Sequence, residues 1–131
     1  MAKSEPAALV LLIYKVPSRK RAGLLKFLRE AFPVYEAPGG IHMSLLESQQ
    51  QDGQFVEIAA YETDEDFRLD QIRVESDPRM KEVLGRWQKF IEGRPQVLLV
   101  RNVAVSKRRG NTPRGPKRRG RKGSRKQASY C

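Results

Sequence analysis

The feature that most constrains this chain is an apolar run at residues 7–14, in which both sets of alternating positions are apolar. Its length and composition favour a strand, and a strand that is apolar on both faces needs cover on both faces. A second run of this kind occupies residues 97–100. Any fold for this sequence therefore has to bury two sides of a sheet.

The pattern between these two runs predicts a helix followed by two strands. Leu and Phe residues at helical spacing predict an amphipathic helix that is capped by Ser18 and ends at Pro33. Residues 41–46 and 54–61 are predicted to be strands, and the polar residues 49–53 between them predict a hairpin loop.

The pattern after the hairpin predicts an interrupted helix and a last strand. Thr63 precedes three acidic residues, which is typical of a capped helix with acids in its first turn. Pro78 predicts a break before a second helical segment, which Gly93 and Pro95 end. Residues 96–103 are predicted to form the fourth strand. This β-α-β-β-α-β order indicates an α+β fold, the ferredoxin-like plait with an antiparallel four-stranded sheet.

A sheet of this topology carries helices on one face only. Because its first and last strands are apolar on both faces, the second face needs cover of its own. Two sheets packed face to face would provide that cover, so we expect a homodimer. The alternative is that a terminal segment covers the face, although both termini are polar.

Charge divides the chain into parts. Residues 107–126 contain 11 of the 26 Lys and Arg residues and no acid, so residues 1–106 carry 15 basic and 15 acidic residues. We interpret residues 1–6 as an extension, 7–104 as one ferredoxin-like α+β domain that pairs through its sheet, and 105–131 as a disordered basic tail. One Cys and one His argue against a disulfide framework and a multi-His metal site. The apolar run at 7–14 is too short to span a bilayer, and the expected location is the cytoplasm.

The basic tail predicts contact with a polyanion. Its cations are separated by Gly and Pro and not by aromatic residues, so binding would be driven by phosphates and independent of base sequence. Nucleic acid, another polyanion and an anionic lipid surface remain open as partners. The predicted nucleic-acid-binding residues are Lys107, Arg108, Arg109, Arg114, Lys117, Arg118, Arg119, Arg121, Lys122, Arg125 and Lys126.

From residue 9 to residue 103 the chain resembles the dimeric α+β-barrel superfamily, in its antibiotic-biosynthesis-monooxygenase-like (ABM) branch. The resemblance lies in the order of elements and in short segments. These segments are Tyr14-Lys15-Val16-Pro17, Pro38-Gly39-Gly40, Asp52-Gly53-Gln54-Phe55-Val56, Tyr61-Glu62-Thr63-Asp64-Glu65-Asp66-Phe67 and Ser76-Asp77-Pro78.

The resemblance implies a homodimer with a small cavity between helices and sheet in each subunit. It implies a small-molecule enzyme or binder for an apolar aromatic substrate, with cofactor-independent oxygenation as the activity and no metal, flavin or haem. Tyr61 stands where the family often has Trp, and the Asn, Trp and His set of the haem-degrading branch is absent. Haem degradation is therefore disfavoured.

Four residues are candidates for a site in this domain. Tyr14, Tyr61 and Trp87 are predicted to bind an aromatic substrate, although Trp87 also fits the apolar stripe of its helix and would then belong to the core. By strand alternation His42, the only imidazole, faces away from Ile41 and Met43. It is the candidate general base, and the alternative is an ordinary exposed strand residue.

Glu57 lies within a strand that looks half-buried. We expect it to pair with Arg101 across the sheet, and the alternative is a base with a raised pKa.

Overall fold

A computed structural model describes residues 5–103 of the chain. Residues 1–4 and 104–131 lie outside the described residues, and with them the proposed tail and its eleven basic residues. The elements are β1 (Ala8–Lys15), α1 (Ser18–Glu36), β2 (Ile41–Glu47), β3 (Gln54–Tyr61), α2 (Asp64–Ser76), α3 (Pro78–Gln88) and β4 (Glu92–Arg101).

The four strands form one antiparallel sheet in the order β2-β3-β1-β4. This order and the intervening helices confirm the predicted ferredoxin-like α+β fold. The predicted interruption of the second helix is also confirmed: the Asp77 side chain accepts a hydrogen bond from the backbone N–H of Arg79 at 2.9 Å, and Pro78 opens α3. Proline suits that position because the first helical N–H has no partner within the helix.

The two predicted N-terminal caps have different outcomes. The Thr63 hydroxyl accepts from the backbone N–H of Asp66 at 3.0 Å, which confirms a capped start for α2. The prediction that Ser18 caps α1 was wrong, because Ser18 is the first residue of the helix, Pro17 occupies the N-cap position, and no side chain caps this end.

The prediction that α1 ends at Pro33 was also wrong. The helix continues to Glu36 although Pro33 cannot donate a backbone hydrogen bond. Arg73 of α2 donates to the carbonyl oxygens of Val34 and Tyr35 at 3.1 and 2.7 Å, and Tyr35 is buried in the core. Contacts made after the proline therefore hold the last turn in place.

Strand β4 differs from its predicted bounds. It begins at Glu92, and α3 ends at Gln88, so the second helical segment is shorter than predicted from Gly93 and Pro95. Pro95 lies inside the strand and does not end a helix there. Because β4 is at the edge of the sheet, a residue without an N–H is tolerated.

The two faces of the sheet have different surroundings. We call the face that packs against the helices the covered face; its buried residues include Val10, Leu12 and Tyr14 of β1. We call the other the open face, where Leu98 and Val100 are 38% and 41% exposed. In register, the open face consists of His42, Ser44, Leu46, Val56, Ile58, Ala60, Leu9, Leu11, Ile13, Gln96, Leu98 and Val100.

The ends of the described chain lie side by side. The backbone N–H of Asn102 donates to the carbonyl oxygen of Ala7 at 3.1 Å. Its side-chain amide donates to the carbonyl oxygen of Pro6 and to the Glu5 carboxylate at 2.9 and 3.1 Å. These bonds extend the pairing of β1 with β4 beyond the sheet. Among the described residues, no helix is long and apolar enough to cross a membrane.

Candidate functional site

A small cavity lies between the helices and the covered face of the sheet. Its volume is about 20 Å³, which accommodates one water molecule. Most of its wall is apolar and includes Ala59, Met43, Met80 and Leu84. Side chains from all three helices and from β1, β2 and β3 contribute to the wall. The cavity thus lies where all three helices meet β1, β2 and β3.

Two carboxyl groups also line the cavity. Glu57 from β3 and Asp70 from α2 are 3% and 7% exposed, and they are the buried charged residues of the described chain. Because an ionised carboxylate is costly to bury without partners, each of these groups requires an explanation.

The carboxyl group of Glu57 has Tyr14 as its hydrogen-bond partner. The Tyr14 hydroxyl donates to Oε1 of Glu57 at 2.7 Å. Burial raises the pKa of Glu57 from 4.5 to about 7, and the hydrogen bond from Tyr14 opposes that rise. Burial and the nearby Glu57 carboxylate together raise the pKa of the Tyr14 hydroxyl, which stays protonated. The pair holds a carboxyl group that titrates near neutral pH.

The expected pairing of Glu57 with Arg101 was wrong. In the sheet register Glu57 aligns with Leu12, whereas Arg101 aligns with Ala8 at the end of β1. Arg101 is exposed and Glu57 is buried. The second reading of Glu57, a carboxyl group with a raised pKa, is the one that the structure supports.

Asp70 is held by a different set of partners. The Tyr61 hydroxyl donates to Oδ2 of Asp70 at 2.6 Å, and Nε of Arg73 donates to Oδ1 at 3.2 Å. Arg73 in turn donates to the end of α1. This chain of contacts fixes the Tyr61 hydroxyl in the cavity wall. Asp70 therefore has a positively charged partner in Arg73, whereas the partner of Glu57 is the uncharged Tyr14 hydroxyl.

Of the three predicted substrate-binding aromatics, only Tyr61 is a wall residue of the cavity. Tyr14 is linked to the cavity through Glu57. Trp87 packs edge-on against Tyr14 with ring centroids 5.0 Å apart and is 1% exposed, so it belongs to the core. The indole nitrogen of Trp87 has no hydrogen bond of ordinary geometry with a described residue. It lies close to the Tyr14 hydroxyl, and this proximity slightly opposes the rise in the pKa of that group.

His42 lies elsewhere. It is on the open face, as the alternation in β2 predicted, and its Nε2 atom is 2.6 Å from Oε2 of Glu62. Both side chains are exposed. The sheet therefore separates His42 from the cavity and from the three aromatic candidates.

Asp70 and Arg73 were not among the site residues predicted from the sequence. One signal was available: Phe67, Asp70 and Val74 follow helical spacing, so Asp70 occupies a position of the inward stripe. A carboxylate in such a stripe suggests a buried partner. The partners themselves, Tyr61 and Arg73, depend on how α2 packs on β3.

In chemical terms the site is an apolar void with one carboxyl group that titrates near neutral pH. A second carboxyl group nearby is already engaged by a cation and a phenol. Apolar walls with a few fixed polar groups are typical of small-molecule sites. A carboxyl group with a pKa near 7 suits proton transfer.

No protein-family profile and no curated protein matches this chain. Solved structures of similar fold are known. An antibiotic-biosynthesis-monooxygenase-like protein from Caulobacter crescentus aligns at 18% identity and a TM-score of 0.63, over 76% of this chain and 92% of that one. Another from Bordetella bronchiseptica aligns at 17% identity and a TM-score of 0.62, over 76% and 100%.

A NIPSNAP family protein from Agrobacterium tumefaciens shares the fold as well, with 17% identity and a TM-score of 0.60 over 81% of this chain and 94% of that one. The resemblance to ABM-like proteins is thereby confirmed for the fold. At these identities the likeness concerns the backbone, so the function has to be argued from the site.

Proposed function

We propose that this domain binds a small, apolar, aromatic molecule between its helices and its sheet and acts on it, with cofactor-independent oxygenation as the reaction. The observation that carries the proposal is the cavity wall, in which apolar side chains surround the carboxyl group of Glu57 and the hydroxyl of Tyr61. The ABM-like fold supports it.

A ligand of aromatic size has to enlarge the cavity. The wall residues Met43, Met80 and Leu84 are the ones that would move, because methionine is unbranched and adapts its shape. Met43 and Leu84 are only partly buried, so movement there also opens a route from solvent. Tyr61 and Glu57, held by their hydrogen bonds, would stay in place and orient the ligand.

Filling the cavity tests this proposal. Ala59→Val adds two methyl groups to a wall residue, and Ala60→Val adds them on the open face of the same strand. The first variant should weaken binding of a hydroxynaphthalene about tenfold or more, since the void has no room for both, and the second should not. Emission of Trp87, the single tryptophan, reports binding. Equal affinity in both variants would place the ligand outside the cavity.

We propose further that the protein is a homodimer paired through its open faces. The support is the apolar character of that face and the exposure of its β4 residues. Leu98→Asp places a charge on the open face, and Leu99→Asp places one on the opposite side of β4 at a comparably exposed position. Sedimentation should show a monomer for the first variant and a dimer for the second. A dimer in both would contradict pairing through this face.

A second candidate function is supported by the charge distribution. Eleven basic residues and no acid lie within residues 107–126, whereas the preceding 106 residues are balanced in charge. In this reading the domain is a dimeric scaffold that binds nucleic acid or another polyanion through its C-terminal segment. Phosphate-driven binding falls steeply with salt.

Fluorescence anisotropy of a labelled oligonucleotide tests this candidate. Full-length protein should bind at roughly 50 mM salt and release most of the oligonucleotide at roughly 200 mM. A chain shortened to residues 1–106 should not bind at either concentration. Binding by the shortened chain would move the contact to the domain, and no binding by either would remove the candidate.

A further inference from the structure

We propose that Glu57 is the proton acceptor of the cavity, taking the proton from a weakly acidic hydroxyl group of a neutral aromatic ligand. The inference rests on the proposed function, because it requires that the cavity admit such a ligand. It adds the residue that performs the proton transfer and the charge class of the ligand.

The position of Glu57 is the first argument. Its carboxyl group is buried in mid-strand, lines the void and accepts a hydrogen bond from the Tyr14 hydroxyl. A carboxylate can accept about four hydrogen bonds, so it retains capacity for a donor on the ligand. A hydroxyl group placed in the void would meet this acceptor directly.

The charges around the cavity are the second argument. The titratable groups facing Glu57 are Tyr14 from β1, Tyr35 from α1, Tyr61 from β3 and Asp70 from α2; α3 and β2 contribute apolar side chains to the wall. Arg73, the nearest described cation in this network, is bound to Asp70 and to the end of α1. An anionic ligand would find no free positive charge there and would be costly to bury. The site therefore selects neutral ligands.

The charge balance of the transfer is the third argument. The O–H bond of the ligand breaks, its electron pair stays on the ligand oxygen, and the proton forms an O–H bond with the Glu57 carboxylate. One negative charge is buried before the step and one after it. Because the charge only moves within the cavity, the step avoids the cost of creating a new buried ion. No oxidant or reductant takes part in it.

The acidity of Glu57 agrees with this role. Burial holds its pKa at about 7, whereas an ordinary glutamate has a pKa of 4.5. A base is most effective when its pKa lies near the working pH, where it is both partly ionised and basic enough to hold a proton. Tyr14 keeps the pKa from rising further, since its hydrogen bond favours the carboxylate. Tyr14 is thus a positioning residue for Glu57.

The probe for the test is 4-nitrophenol, whose phenolate absorbs visible light and whose phenol does not. Above the pKa of Glu57, binding to the wild-type protein should take up about one proton while the probe absorbs as the phenolate, because that proton resides on Glu57. Glu57→Gln keeps the shape and removes the base, so phenolate bound to this variant should take up no proton. Glu62→Gln, on an exposed glutamate beside the open face, is the matched control and should behave as the wild type.

A second measurement needs no ligand. Trp87 packs on Tyr14, which is bound to Glu57, so the emission of Trp87 should titrate with a midpoint near pH 7. That transition should be absent in Glu57→Gln and present in Glu62→Gln.

The outcomes separate the two proposals. Proton uptake on binding that persists in Glu57→Gln, or a Trp87 titration that persists there, overturns the assignment of Glu57 while binding itself stands. Failure of 4-nitrophenol and of hydroxynaphthalenes to bind the wild-type protein overturns the proposed cavity function and this inference with it.

Discussion

The covered face and the open face of the sheet divide the polar and the apolar roles in an unexpected way. On the covered side of the sheet, Glu57 of β3 and Asp70 of α2 are buried around the cavity, whereas the centre of the open face is a row of aliphatic side chains. A fold selected for stability alone would place the carboxyl groups outside and the aliphatic groups inside. The proposed chemistry in the cavity accounts for the buried carboxyl groups, and the proposed dimer accounts for the exposed aliphatic row.

The largest expected effect that tests the difference between the two faces concerns two neighbouring leucines in β1. Leu12 is on the covered face and 5% exposed, and Leu11 is on the open face and partly exposed. Leu12→Ala should lower the free energy of unfolding by about 2–5 kcal/mol at any protein concentration. Leu11→Ala should cost less in a dilute sample and more in a concentrated one if the open faces pair as proposed. Urea unfolding at two concentrations measures both; identical behaviour would erase the distinction between the faces.

A smaller effect is expected in the pH dependence of the unfolding free energy, which tests the burial of Glu57 on the covered face. The pKa of Glu57 is about 7 in the folded protein and 4.5 as its ordinary value, so the folded state binds this proton more tightly. Its contribution to stability is complete below about pH 4.5 and is lost as the pH rises through 7, on the order of 3 kcal/mol in all. The difference in unfolding free energy between wild type and Glu57→Gln should follow this course. A pH-independent difference would contradict it.

The smallest effect is expected at His42. Its side chain is exposed on the open face, and its contact with Glu62 is between two exposed groups. His42→Ala should therefore change the free energy of unfolding by less than about 0.5 kcal/mol. Thermal unfolding of the variant beside the wild type measures this. A loss as large as that of Leu12→Ala would show that His42 is buried in the assembled protein.

The periodic parts of the sequence predicted the fold well. Strand β3 has its predicted bounds, the alternation in β2 placed His42 on the correct face, and the Asp77-Pro78 break lies where local chemistry required it. Each of these features depends on residues close together in the chain. The extension of α1 past Pro33 could not be predicted in this way, because its support comes from Arg73 in another helix.

The site was harder to predict for the same physical reason. Alternation indicates that Tyr14 and Glu57 both point inward, but it does not give the register between β1 and β3. The register pairs Tyr14 with Phe55, two residues from Glu57, which makes Tyr14 and Glu57 diagonal neighbours on one face. The sequence therefore indicated both members of the pair, but not the strand register that brings them together.

The hydrogen bonds of Asn102 to Ala7 and Pro6 have a consequence for the connectivity of the domain. Because the two ends of the described chain are adjacent, a short linker could join them, and the chain could be opened instead at the exposed hairpin near residues 50–52. Such a circularly permuted protein would have β3 as its first strand and β2 as its last. The order of residues along the chain would change while the cavity and both faces of the sheet kept their composition.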